Sequence, residues 1–301
     1  MLKRTNRHKI VLRPRKSKFV EIFRSTPTKT ICPNFYVLAH ANGCGFAPLC
    51  TYCYLKSSFW HLKGQHAFTN RDKMMKEIGS WIRRDNLESY VLNAGNLSDS
   101  LRFEQFRPLV ADLVSLFSRE AKGRPHTLLL VTKGGLKESR ALLKLKSSPN
   151  VAITFSVNNP EAAKKHEAGA PPVADRLEAA RRLKKNGWRI RIRIDPMITG
   201  YEYGRLARQV KKLAPERLTL GTLRSEHNLT KFAKTPLLQA LVQPSEPNAL
   251  ARYPLKERLK LYRQAVSLFD DRCHIGLCEE TPEVWRSLGL NADDKPCNCG
   301  G

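Results

Sequence analysis

"VAITFSVNNPEAAKKHEAGAPPVADRLEAARRLKKNGWRIRIRID", residues 151–195, carries the pattern on which the fold turns. The run VAITFSV (151–157) is apolar and β-branched almost throughout, as a strand covered on both faces must be. An amphipathic stretch at 174–186 follows with helical spacing, and WRIRIRID (188–195) then returns to a two-residue period. Apolar strands separated by a helix of this length form βα units around a parallel sheet.

The same alternation extends in both directions. FYVLAH (35–40), SYVLNAG (89–95), TLLLVTK (127–133) and RLTLGTL (217–223) bring the candidate strands to six. Further amphipathic stretches lie at 71–84, 104–120, 135–146, 202–213 and 255–270. Six units suit an α/β fold of the partial (β/α)6 barrel type better than the full eight-strand barrel. A doubly wound open sheet is the other arrangement that periodicity allows. No glycine-rich dinucleotide fingerprint or phosphate loop follows any strand. The expected organisation is a basic N-terminal arm (1–30), the barrel (31–240) and a helical, cysteine-rich extension (241–301).

Composition narrows the partner. Lys and Arg number 53 against 27 Asp and Glu, a net charge of +26. An excess of that size points to an anionic partner, nucleic acid first. The opening MLKRTNRHKIVLRPRKSKF contains no acid and lacks the apolar core of a secretory signal, so it reads as an arm for phosphates. No stretch approaches the roughly 18 apolar residues of a membrane span. Eight cysteines, clustered near the two ends, favour metal in a reducing compartment, hence a cytoplasmic protein.

In a barrel, functional groups gather where strands end. GCGFAPLCTYCYLK (43–56), after the first strand, places Cys44, Cys50 and Cys53 in C-x5-C-x2-C spacing with no fourth cysteine close behind. Asn93, Asn96, Ser98 and Asp99 follow the second strand. Lys133 ends the third, Ser156 and Asn158 the fourth, Asp195 the fifth, and Arg224, Glu226 and His227 come after the sixth. Three thiolates can hold three irons of a 4Fe–4S cube and leave the fourth iron open to an exogenous ligand such as S-adenosylmethionine (AdoMet). A zinc site completed by Cys32 or His40 is the alternative.

Several runs, in order, resemble the spore photoproduct lyase branch of the radical AdoMet enzymes. They are CTYCYLK in the cysteine loop, SDS (98–100), VTK (131–133), FSVNN (155–159), DRLEAARRLKKNGW (175–188) and LTKFAK (229–234). The resemblance implies that Cys44, Cys50 and Cys53 ligate the cluster. It also implies that Ser98, Asp99, Lys133, Ser156 and Asn158 contact AdoMet, and that Tyr52 and Tyr54 relay hydrogen. An electron donor such as flavodoxin or ferredoxin, and a nucleic-acid substrate with DNA ahead of RNA, come with it. Two departures stand out. The family's cysteine loop is two residues shorter, and Asn96 occupies the position where the lyases carry a hydrogen-donating cysteine.

Cys273, Cys278, Cys297 and Cys299 form a second group, suited to an auxiliary iron–sulfur cluster or zinc. Alternatively, Cys297 and Cys299 act as hydrogen donor or redox pair. In WRIRIRID, Arg189, Arg191 and Arg193 share one face. With helices on the isoleucine face, the arginines look inward, either towards an anionic ligand or into ion pairs with neighbouring strands. Arg193, Arg224 and His227 are the candidate substrate contacts. The expected function is a monomeric radical AdoMet enzyme, most specifically one repairing a DNA photoproduct. The alternatives are a radical nucleobase-modifying enzyme and a non-catalytic zinc-bearing nucleic-acid binder.

Overall fold

The computed structural model describes residues 9–24, 26–270, 274–293 and 297–300. Its centre is an eight-stranded sheet. The strands are β1 (Val20–Phe23), β2 (Phe35–Leu38), β3 (Val91–Asn93), β4 (Thr127–Thr132), β5 (Val151–Val157), β6 (Arg189–Met197), β7 (Arg217–Thr222) and β8 (Ile275–Leu277). Their order in space is their order in the chain. β1 runs antiparallel to β2, and every later neighbour is parallel.

That order decides between the two arrangements open to the sequence. A doubly wound sheet reverses its strand order at a switch point, and this sheet never does. A backbone bridge also joins Ile31, just ahead of β2, to Glu280, just after β8, with Ile31 N donating to Glu280 O at 2.8 Å. The two ends of the sheet are thereby drawn towards each other.

Side-chain parity assigns the two faces. Leu128, Leu130, Ile153, Phe155, Ile190, Ile192 and Ile194 pack with Leu142, Val173, Leu177 and Leu183 in the main core beneath the helices. Helix Val173–Lys185 supplies three of those partners and crosses from β5 to β6. On the other face, Phe35, Val37, Val91, Leu129 and Ala152 form a smaller apolar cluster. The register Thr154↔Arg191 and Ser156↔Arg193 puts the arginines on this inner face, where the alternation places them.

The structure differs from the sequence expectation at its edges. β1 and β8 carry no strong period, being three or four residues long, and they are sheet edges. Ile10–Arg13 pairs in parallel with Gln65–Phe68, so residues 10–13, like Val20–Phe23, are held in sheets and not in a free arm. β8 likewise takes part of the 241–301 extension into the main sheet. Helix Pro160–His166 was also not anticipated. Asn159 caps it, its side chain accepting from Glu161 N (2.8 Å) and Ala162 N (3.2 Å). Among the described residues, no helix is long and apolar enough to cross a membrane.

Candidate active site

The cysteine loop leaves the parallel edge of the sheet after β2. Gly43 and Gly45 flank Cys44 with φ of +96° and +84°, a region that penalises any Cβ. A Cβ on Gly43 would also sit 2.9 Å from Gln65 Cγ. The loop is clipped to the segment after β3, with Gly43 N donating to Leu97 O (3.0 Å) and Asp99 N to Cys44 O (3.3 Å). A turn then closes Cys53 N onto Cys50 O at 3.1 Å.

Burial pushes all three thiols up, Cys50 to about 12, and Cys44 is raised further by Asp99, Cys53 and Cys50 nearby. The three are half-buried thiols on one loop, with Lys133 acting on Cys50 and Lys56 and Lys133 on Cys53, a set of soft donors beside positive charge. An iron–sulfur cluster fits that set. The thiols are not closed on one point: among the described residues, no group of three or more His, Cys, Asp or Glu is arranged to hold a metal ion.

The zinc alternative loses its fourth ligand. His40 Nδ1 accepts from Arg107 (2.9 Å), and Nε2 faces Ala94 O (3.0 Å) and Ser98 Oγ (2.9 Å), so both ring nitrogens are engaged. Burial, and then Arg107, push this imidazole down to about 3. Cys32 lies elsewhere, packed with Cys299 against the inner-face cluster.

Facing the cysteine loop is an ion network that the sequence did not announce. Glu167, fully buried, accepts from Lys133 Nζ (2.7 Å), Arg176 Nη1 (2.6 Å), Asn158 Nδ2 (3.2 Å) and the Tyr52 hydroxyl. Burial raises its carboxyl, but Lys133 and Arg176 outweigh that and hold it well below the usual carboxylate range. Lys133 is 18% exposed, so its ammonium borders the open side of this network. Asp99 accepts from Lys133 N (2.7 Å), Thr132 Oγ1 (2.8 Å), Leu101 N and Arg102 N (both 3.0 Å). Burial nonetheless pushes its carboxyl up to about 6.

Several candidate cofactor contacts are already occupied. Asn158 donates to Glu167 and to Pro196 O (3.1 Å) and accepts from Tyr203 (3.0 Å) and Asn159 N (2.8 Å). Ser98 is taken by His40, and Ser156 is buried beside Arg176, which donates to its carbonyl at 3.1 Å. Tyr54 is nearly half exposed and donates to Asn96 O.

The inner-face arginines are paired. Asp195 meets Arg193 (2.9 Å) and Arg224 (2.8 Å), and Arg224 also reaches Glu279 (2.7 Å). Both guanidiniums lie against Cys278 Sγ, Arg224 at 2.9 Å. Of the two readings of the arginine face, ion pairing is the one seen here: Asp195, on β6 itself, and Glu279, just after β8, supply two carboxylates to Arg193 and Arg224. His227 is exposed and apart from it.

The C-terminal cysteines divide. Cys273 lies outside the described residues. Cys278 sits between the two arginines, whereas Cys297 and Cys299 belong to a tail seated on the inner face. Arg191 donates to Asn298 O (2.6 Å), Arg217 to Cys297 O (3.0 Å), and Asn298 N to Thr219 Oγ1 (2.8 Å). Cys299 Sγ ends 3.8 Å from Asn93 Nδ2 and packs with Leu97 and Val131. Sequence spacing could not reveal that this tail folds back to the end of β3.

A family model described as spore photoproduct lyase matches residues 13–244. The spore photoproduct lyase of Clostridium acetobutylicum is 23% identical over 215 residues, 70% of this chain and 62% of that protein. The chain thus spans about three-fifths of that relative's length. Among solved structures, spore photoproduct lyase complexed with dinucleoside spore photoproduct aligns with a TM-score of 0.71 at 17% identity, over 90% of this chain and 82% of that one. A mutant of that lyase with bound AdoMet and dinucleoside spore photoproduct gives 0.70 at 18%, with the same coverage. At such identities the structural likeness is one of fold, a mixed α/β architecture on a parallel sheet. The family model covers well over half of the residues, and the cysteine loop, β2 to β7 and the Lys133 network all fall inside its span: this chain belongs to the spore photoproduct lyase family.

Proposed function

We propose that the protein is a radical AdoMet enzyme acting on nucleic acid, with a thymine photoproduct in DNA as its first substrate candidate. The observation that carries this reading is the half-buried trio Cys44, Cys50 and Cys53, free thiols on the loop beside Lys133 at the parallel edge of the sheet. The sheet is taken as a partial barrel, which the Ile31–Glu280 bridge between its ends supports. A 4Fe–4S cluster with AdoMet supplies, when bound, a 5′-deoxyadenosyl radical that abstracts hydrogen from the substrate.

The protein's own residues do the rest. Cys44, Cys50 and Cys53 would hold the cluster as thiolates. Lys133, steadied by Glu167, offers an ammonium to the methionine carboxylate. Asp99, Ser98, Ser156 and Asn158 fix the strand ends around that site. Tyr52 and Tyr54, on either side of Cys53, are the hydrogen-relay candidates. Bond cleavage leaves a substrate radical that needs a hydrogen atom, and the strong N–H bonds of Asn96 rule it out as the source. The thiol of Cys299, on the inner face near β3, is the donor we assign, with Cys297 beside it. Burial pushes Cys299 up to about 12, which keeps its S–H intact at neutral pH. A low-potential flavodoxin or ferredoxin in a reducing cytoplasm would supply the electron. Asn96 also favours a second reading, radical modification of an intact nucleobase.

The test is anaerobic incubation of the reconstituted protein with AdoMet, reductant and dinucleoside spore photoproduct. Release of the two thymidine units is the expected result. Consumption of AdoMet only with undamaged oligonucleotide would shift the assignment to base modification.

A further inference from the structure

Seven residues past Cys53, Trp60 stands in the open. It is 55% exposed, whereas Trp81, Trp188 and Trp285 are at most 3% exposed. An indole left in water is unusual, since burial of so large an apolar ring is favourable. Trp60 is also held in place. Its ring stacks on Phe232 with centroids 5.7 Å apart and 18° between planes, and His61 meets its edge at 5.8 Å. Trp60 follows the short helix Leu55–Ser58 and Phe232 ends the helix Leu229–Phe232; the two helices pack together, and Ser57 Oγ donates to Glu226 across the joint. Phe232 covers one ring face of Trp60, and the remaining exposure lies to solvent.

The surroundings are basic. His61 and Lys63 follow Trp60, and His227, Lys231 and Lys234 flank Phe232; all five are exposed. Glu226 is the one acid in the two segments, and it is engaged by Ser57. Beside the pair, Thr230, Lys234, Leu238 and Gln243 line a groove of about 650 Å³. Exposed aromatic faces ringed by cations are the means by which proteins hold unpaired bases, the ring stacking on the base and the cations meeting phosphate.

We propose that the Trp60–Phe232 pair is a stacking platform for the bases of an unpaired nucleic-acid strand, placed one helix away from the cysteine loop. This rests on the nucleic-acid reading above and adds where the strand is gripped. A base on Trp60 is held on the same side as the cysteine loop, and the groove beside it, with Lys234 on its wall, continues the path.

Trp60 is the single exposed tryptophan of the four, so fluorescence reports on it selectively. The whole protein is titrated with a labelled oligothymidine at on the order of 0.15 M salt, following both oligonucleotide anisotropy and tryptophan emission. Binding should quench the red-shifted emission, Trp60→Ala should weaken affinity by about tenfold, and Trp60→Phe should retain most of it. Thermal melting verifies that both variants are folded. Equal binding by wild type and Trp60→Ala without quenching would overturn the platform while leaving the nucleic-acid reading intact. Absence of binding even at low salt would overturn both. Shielding of Trp60 from acrylamide by a flavodoxin-type protein, but not by the oligonucleotide, would make the pair a protein-docking surface and also defeat the proposal.

Discussion

At the scale of single residues, Glu167 organises the site. It ties Tyr52, Lys133, Asn158 and Arg176 from four segments to one buried carboxylate. Glu167→Gln leaves Arg176 and Lys133 without their counter-charge, so a loss of about 3–5 kcal/mol is expected in urea unfolding. The pH dependence follows in sign. A carboxyl held below its unfolded value of about 4.3 stabilises fully above that value and loses its contribution as pH falls through the folded value. Wild-type stability should therefore drop below about pH 5 more steeply than that of Glu167→Gln, as the urea midpoint measured against pH will report. Asp195, held low by Arg224 and Arg193 against burial, keeps some slope in the variant. Lys133→Ala should leave iron content unchanged and weaken AdoMet binding by about 1.5–3 kcal/mol, read by equilibrium dialysis. The cysteines and Lys133 were legible because their spacing or strand-end position carries chemistry. Glu167 was not, since an acid between a lysine pair and a proline-rich turn has no local signature.

At the scale of elements, β2 to β7 were readable because strands buried on both faces leave nearly continuous apolar runs, as β5 does. β1 and β8 were not, because a short edge strand satisfies no period. The alternation of Arg189, Arg191 and Arg193 gave their face and left ion pairing open as one of two readings; Glu216 and Asp195 fill that role, and the distant tail is the partner that nothing in the sequence announced. That tail is an element in its own right. Arg191 is 1% exposed and bonds to Asn298 O and Glu216. Removing residues 297–301 should destabilise the fold by roughly 2–4 kcal/mol, because the buried guanidinium loses Asn298 O and Gly300 O and keeps only Glu216. Cys299→Ser keeps the tail, and its expected outcome is different: normal melting, with 5′-deoxyadenosine formed but substrate radicals quenched to the wrong products by chromatography.

At the scale of the whole molecule, the charge of +26 sets the long-range behaviour. Affinity for DNA should fall steeply with salt, since phosphate contacts release counterions. Removing residues 1–8, which include Lys3, Arg4 and Arg7, should reduce that slope by up to about 3 in a log–log plot. The charge was plain from composition, whereas the fold-back that engages Arg191 and Arg217 needed the structure. The central claim is that three thiols at the sheet edge hold a cluster that cleaves AdoMet, and 5′-deoxyadenosine measures it most directly. After anaerobic reconstitution and addition of dithionite and AdoMet, the protein should carry about four irons per chain and release 5′-deoxyadenosine, and Cys50→Ala should do neither. A colourless wild-type protein that binds zinc and leaves AdoMet intact would contradict it.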